Sequence, residues 1–151
     1  MAKVAEWVGG KRIRLEKQYR MTEDGFKRPE WLEKCGNKGP LLHVIESHNE
    51  KRFGGYSNFK WPKSDQDIYH SDPKAFLFSL THLSKHPIQS DSTKKALRTH
   101  SSLTSSFGAG DLYVYDEATP NTNSSDFGTS FELPHGMQYG SDQAKSYLAG
   151  S

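Results

Sequence analysis

The chain contains a single cysteine, Cys35, among its 151 residues. One thiol cannot form an intramolecular disulfide, and it cannot complete a cysteine-rich zinc site. The sequence also lacks an apolar run near the roughly 20 residues that a membrane-spanning helix needs, and its first residues lack an apolar core of signal-peptide length. These absences predict a soluble protein of the cytoplasm. A cytoskeletal or ciliary location, or one at the cytosolic face of organelles, is compatible with them.

The chain also has little excess of either charge, because 20 basic residues nearly balance 18 acidic ones and the net charge is +2. Such a weak charge does not favour a nucleic-acid or anionic-membrane partner. The basic segment from Lys11 to Arg20 is interpreted as a solvated face. Aromatic residues are well represented, with eight Phe, seven Tyr and three Trp. This number of aromatic residues predicts a folded domain, because disordered chains contain few of them. The length fits one domain.

The hydrophobic pattern predicts short elements that are separated by wide turns. Arg28–Cys35 is expected to be a helix, since a proline stands at its start and a glycine follows its end. Leu41–Ser47 and Arg52–Tyr56 form a hairpin pattern. Gly54 and Gly55 inside the second strand predict a bulge or the close approach of another group.

The alternation from Ala75 to Thr81 predicts the central strand, with Phe76, Phe78 and Leu80 facing the core. The fold class predicted is mainly β with α, as two packed antiparallel sheets in a β-sandwich flanked by short helices. Other segments carry weaker patterns. Strands are expected at Leu112–Tyr115, Phe127–Leu133, Pro87-Ile88 and Ala96–Thr99, and loops at Ser64–Ser71, Ser101–Ser106 and Asp116–Asp126.

Three possible chemical sites are each outweighed by a structural reading. The glycine turn of Phe107–Asp111 lacks the Lys-Ser/Thr pair of a phosphate loop, and the carboxylate of Asp111 would repel phosphate. His82 and His86 have a spacing that suits a metal on a helix, but the proline that follows disfavours a helix there. Cys35 stands near a helix C-terminus, which disfavours a thiolate. We therefore predict no catalytic residue, no metal and no cofactor.

Six segments in series resemble the TLDc domain, the module of oxidation-resistance proteins, in a form closest to that of protists. The segments are Tyr19-Arg20 with Asp24-Gly25-Phe26, Trp31–Cys35 with Lys38–Ile45, Phe53–Tyr56 with Trp61, Asp72–Leu80, Phe107–Val114, and Tyr147–Ser151. The resemblance predicts a segment of residues 1–18 and a domain of residues 19–151. Its motif residues are expected to be structural, with glycines at positive φ or at close approaches. They are Gly25, Trp31, Gly39, Pro40, Gly54, Gly55, Trp61, Phe76, Phe78, Gly108, Gly110 and Asp111.

The resemblance implies a function that the residues alone do not. Members of the family protect cells from oxidative damage, several bind the vacuolar proton-pumping ATPase, and no catalytic site is generally accepted for them. We therefore expect a non-catalytic, protein-binding domain. A scaffold role in a ciliary or cytoskeletal assembly is the alternative, and a weak redox enzyme is the third hypothesis.

The sequence departs from the family at its end. The family continues past "LAGS" with a strand that reads roughly "F.V.EIEVF", whereas this sequence stops at Ser151. A sheet that lacks its last strand leaves backbone groups of a neighbouring strand unpaired. Two outcomes are open: the domain is unstable alone, or another polypeptide adds that strand, with Tyr147-Leu148 beside the gap. We expect the second outcome if the 151-residue chain exists inside an assembly.

Overall fold

Two antiparallel sheets make up the body of the protein in the computed structural model, which describes residues 2–9, 12–116 and 125–150. The first sheet has the order β1-β2-β4-β5 and the second has the order β3-β6-β7-β8. The first sheet consists of β1 (Leu41–Glu46), β2 (Arg52–Ser57), β4 (Phe76–Ser79) and β5 (Ser84–Pro87). The second consists of β3 (Ile68–His70), β6 (Leu97–Thr99), β7 (Leu103–Phe107) and β8 (Leu112–Tyr115). The predicted β-sandwich class is confirmed.

Short helices lie outside the sheets. They are α1 (Ala2–Val8), α2 (Met21–Asp24), α3 (Arg28–Cys35) and α4 (Asp142–Ser146), with a 3₁₀ turn at Thr93–Lys95. The helix predicted at Arg28–Cys35 is confirmed with the same bounds. None of the helices in the described ranges has the length and apolar character that crossing a bilayer requires.

The central strand β4 is buried on both of its faces. Leu77 belongs to the main core between the sheets, together with Phe107 and Phe131. Phe76 and Phe78 are buried as predicted, but they form a second cluster with other residues. Alternation along a strand separates two faces, but it does not say which face points into the sandwich. Leu80 lies beyond the end of β4 and is only partly buried.

Two predicted loops contain strands, and both predictions are therefore wrong in part. Ser101–Ser106 was expected to be a loop, yet Leu103–Phe107 is a strand. The Thr104 and Ser106 hydroxyls can be buried because they donate to carbonyls, as Thr104 Oγ1 does to the Val114 oxygen at 3.1 Å. Such donation lets a Ser/Thr-rich strand enter a core. Within Ser64–Ser71, the strand β3 is likewise present.

The strand predicted at Phe127–Leu133 is wrong. Only an isolated bridge joins Phe131 to Ile88 in this region. The segment turns instead, because several of its backbone N–H groups donate to a buried carboxylate rather than to a neighbouring strand. Most of the predicted loop at Asp116–Asp126 lies outside the described residues.

Candidate protein-binding groove

Two hairpin turns lie side by side at one end of the first sheet. They are the β1–β2 turn at residues 47–51 and the β4–β5 turn at residues 80–83. The backbone N–H groups of Leu80 and Thr81 donate to the Arg52 carbonyl at 2.8 and 3.3 Å. The Arg52 N–H donates in return to Thr81 Oγ1 at 2.8 Å. These bonds fix the two turns relative to each other.

The segment after α4 lies against both turns. Leu148 is buried in the main core and anchors this segment. Ser47 Oγ donates to the Ala149 carbonyl at 2.7 Å, which connects the segment to the first turn. The Tyr147 ring stacks on His82 of the second turn, with the ring centroids 4.4 Å apart. The motif that resembles "YLAGS" thus positions side chains beside both hairpin turns.

An open groove of about 460 Å³ lies between these elements. Its lining combines apolar, amide and cationic side chains. The lining residues are Asn49, Lys51, His82, Met137, Gln143, Ser146, Tyr147 and Gly150. This mixture of side chains can contact a peptide or a protein surface through both apolar and polar groups.

Leu83, next to His82 in the second turn, combines two unfavourable features. Its φ is +53°, in the left-handed region that costs a non-glycine residue roughly 1–2 kcal/mol. Its apolar side chain is also 61% exposed. Strained backbone conformations recur at functional sites, so the positive φ motivates the hypothesis that Leu83 contacts a partner. Leu83 combines this strain with an exposed apolar side chain, and we take it as the candidate for a contact with a partner.

A chain of hydrogen bonds runs behind the groove. Ser84 Oγ lies 2.8 Å from the Tyr147 hydroxyl and 2.8 Å from His86 Nε2. His86 Nδ1 lies 3.0 Å from the Glu132 carbonyl, which can only accept. The neutral ring therefore donates from Nδ1, and its Nε2 accepts from the Ser84 hydroxyl. The chain fixes the ring of Tyr147 where it borders the groove.

Ser84 and His86 have the separation of a nucleophile and its general base. The His86 ring is buried, and burial lowers its pKa from 6.5 to about 4. The ring is therefore neutral at pH 7, but a pKa near 4 makes it a weak general base, because an efficient base has a pKa near the working pH. The Glu132 carbonyl at the other ring nitrogen orients the ring, as the ionised carboxylate does in hydrolytic triads, but it brings no charge to stabilise an imidazolium.

This burial predicts a loss of stability in acid. The unfolded state takes up a proton at His86 near pH 6.5, whereas the native state does so only near pH 4. The contribution of His86 is thus complete above pH 6.5 and decreases as the pH falls to 4. Between pH 7 and 4.5 the free energy of unfolding should fall by about 2 kcal/mol more in the wild type than in His86→Gln. Urea unfolding of both proteins across this range measures the difference, and equal pH dependence would contradict it.

Asp111, at the end of the glycine turn after β7, has a structural role. Its buried carboxylate accepts N–H groups from Gly128 at 3.0 Å, Ser130 at 2.9 Å and Phe131 at 3.1 Å. Burial raises the pKa of Asp111 to about 6, and these donors oppose that shift. The carboxylate holds the 128–131 turn rather than facing a ligand.

The glycines of the same turn have positive φ, +71° at Gly108 and +120° at Gly110. An added Cβ at Gly108 would also meet the Asp111 carboxylate. The backbone at both positions therefore disfavours any other residue.

The tryptophans of the motifs meet in the main core. Trp31 and Trp61 contact edge to face with centroids 5.6 Å apart. Phe107 lies 5.8 Å from Trp61, and a Cβ added at Gly55 would be 2.5 Å from its ring. A Cβ at Gly54 would meet the backbone oxygen of the neighbouring strand β1. Close approach thus requires glycine at both positions of β2.

The other motif residues lie at separate turns or on the outer face of the first sheet. Gly25 has a φ of +110° and ends α2, and the Gly39–Pro40 peptide bond is cis. Only the last motif reaches the groove, through Tyr147 and Gly150, and none of the structural motif residues from Gly25 to Asp111 is among its lining residues. The other five motifs therefore build the fold around the groove, and the structure does not bring the six together as one site.

Sequence reasoning missed both the groove and Ser84–His86. The spacing of two residues places Ser84 and His86 on one face of a strand, so the pair was detectable once β5 was known. The strain at Leu83 has no sequence signal, because φ depends on how the hairpin closes. Within the described ranges, no group of three or more His, Cys, Asp or Glu side chains could hold a metal ion.

A family model described as the TLDc domain matches residues 3–151. No curated protein matches the chain.

Proposed function

Because the chain belongs to the TLDc domain family, we propose that it is a non-catalytic protein-binding domain whose partner is the vacuolar proton-pumping ATPase. The family is generally linked to oxidative stress. The observation that carries the proposal is the exposed, strained Leu83 beside the groove. The ATPase as the partner rests on the family resemblance of the sequence.

The composition of the groove supports protein binding. Apolar side chains from Met137 and Tyr147 line it together with polar and cationic ones such as Gln143 and Lys51. Protein interfaces typically have an apolar centre and a polar rim. Leu83 adjoins the groove and can insert into a pocket of the partner, in the manner of an interface anchor.

Two nucleophilic side chains have surroundings that support a structural role. Burial raises the pKa of Cys35 to about 11, so its thiol is protonated at pH 7 and is a weak nucleophile. The Ser84 hydroxyl donates to His86 and also accepts from Tyr147, so it is held in the chain that fixes the groove wall.

Leu83→Asn should change stability and binding in opposite directions. Asparagine tolerates a positive φ, so the free energy of unfolding should rise by about 0.5 kcal/mol. Loss of the apolar anchor should weaken binding to the purified ATPase about tenfold or more. Denaturant unfolding measures the first effect, and surface-based binding titration of the full chain measures the second.

Leu15→Asn is the matched control, because Leu15 is also an exposed leucine and lies outside the groove. It should leave affinity unchanged. If Leu83→Asn binds like the wild type, the groove is not the binding site. If the wild-type chain does not bind the ATPase at all, the proposed partner is wrong.

The non-catalytic part of the proposal has its own test. Cys35→Ser should leave protection of cells from peroxide unchanged, provided that the variant folds. Survival of cells that carry this variant, with protein levels matched to the wild type, measures this. Complete loss of protection by a folded Cys35→Ser variant would assign a chemical step to that thiol.

A further inference from the structure

The first helix covers an apolar face that is separate from the main core. Tyr56, Phe76 and Phe78 form a buried cluster on the outer face of the first sheet. Trp7 and Val8 of α1 pack against this cluster, with the Trp7 and Phe78 ring centroids 6.1 Å apart. Without α1, these rings would form an exposed aromatic surface of the kind that marks binding sites.

α1 is held there mainly by apolar packing. It has seven residues, far below the roughly 12–15 at which an isolated helix becomes even marginally stable. A polar contact between α1 and the sheet runs from Lys85 Nζ to the Trp7 carbonyl at 3.2 Å. The Lys85 ammonium lies at the C-terminal turn of α1, where a cation interacts favourably with the negative end of the helix dipole. The sheet thus offers rings and a correctly placed charge, and α1 adds little stability of its own.

The connection after α1 permits its release. Gly9 follows the helix with nothing within 4 Å of a Cβ built on it. Residues 12–20 have neither helix nor strand, and residues 12–17 are exposed. Release of α1 would therefore break few contacts in this segment.

The apolar face extends beyond α1. Val44 of β1 is 52% exposed, although it lies on the same face of the strand as Leu42, which packs against the aromatic cluster. A helix longer than α1 could cover both the aromatic cluster and Val44. The occupant that fits is therefore an amphipathic helix longer than two turns.

We propose that the outer face of the first sheet is a binding site for an amphipathic helix of a partner protein, and that α1 is its resident, displaceable occupant. The partner helix carries an aliphatic residue and, three positions later, an aromatic one, as Val4 and Trp7 do in α1. Its C-terminal turn lies at Lys85. This site is distinct from the groove and does not depend on the groove's being the binding site for the ATPase.

Hydrogen exchange of the wild-type full chain tests whether α1 is displaceable. The amides of Trp7, Val8 and Gly9 should exchange at least about 100-fold faster than those of β2 and β4, because α1 opens without unfolding of the sheet. Exchange of α1 at the same rate as the sheet would overturn the proposal, because the helix would then be an integral part of the core.

Binding in trans tests whether the face accepts a helix. The probe is a labelled synthetic peptide of residues 1–9, titrated against the full chain by fluorescence anisotropy. Trp7→Ala in the chain weakens the resident helix, so the peptide should bind this variant at least about tenfold more tightly than it binds the wild type. Lys3→Ala, on the exposed side of α1, is the matched control and should bind like the wild type.

Lys85→Glu in the Trp7→Ala chain should weaken the peptide at least about threefold, since the cation would be lost from the helix C-terminus. Failure of the Trp7→Ala chain to bind the peptide, while its sheet amides keep their slow exchange, would overturn the proposal. A concentration-dependent wild-type dimer that exchanges α1 between copies would also overturn it, because a second copy of this chain would then be the occupant.

Discussion

Replacing Asp111 by alanine is expected to lower the free energy of unfolding by about 3 to 6 kcal/mol. The buried carboxylate accepts N–H groups from three residues of the 128–131 turn. Each buried donor left without a partner costs about 1–3 kcal/mol. Equilibrium urea unfolding of the full chain at pH 7 measures the loss.

Asp111→Asn should give an intermediate loss, because its single carbonyl oxygen can still accept part of these bonds. Asp91→Ala is the matched control, since the Asp91 carboxylate is exposed and accepts only an exposed hydroxyl. It should change stability by less than about 0.5 kcal/mol. A loss below about 1 kcal/mol in Asp111→Ala would show that solvent or other groups satisfy the turn equally well.

Phe78→Ala is expected to cost about 3–5 kcal/mol. The ring is fully buried between Tyr56, Phe76 and α1, and alanine would leave a large cavity that the β-sheet backbone cannot close. The midpoint of urea unfolding should fall without a change in the denaturant slope.

Val44→Ala is the matched control on the same face of the sheet. Its side chain is about half exposed, so the loss should stay below about 1 kcal/mol. If Phe78→Ala costs no more than Val44→Ala, the outer face is not a packed cluster and α1 does not bury it.

The elements that could be predicted from the sequence are those with a local pattern. The helix Arg28–Cys35 has Pro29 in its first turn and ends before Gly36, and the hairpin around residues 47–51 joins two apolar runs. Periodicity and turn residues specify such elements because their causes lie within a few residues of each other.

The elements that failed depend on residues that are distant along the chain. Leu103–Phe107 is a strand because carbonyls of β6 and β8 accept its Ser and Thr hydroxyls. Phe127–Leu133 is not a strand because Asp111 takes its N–H groups. The groove likewise joins Asn49, His82 and Tyr147, which no local pattern connects.

Two expectations about the extent of the domain stay predictions. They are the division into residues 1–18 and 19–151, and the final strand supplied by another polypeptide. The family match begins at residue 3, so it includes most of the first segment.

The central claim, protein binding through the groove, is tested most directly by hydrogen exchange of the full chain with and without saturating purified ATPase. Peptides that cover residues 47–51, 80–83 and 142–147 should exchange more slowly in the complex, because these elements line or adjoin the groove. Peptides that cover β3, on an edge of the second sheet, should be unchanged. Protection that is confined to β3, or that is absent at all three groove segments, would contradict the account.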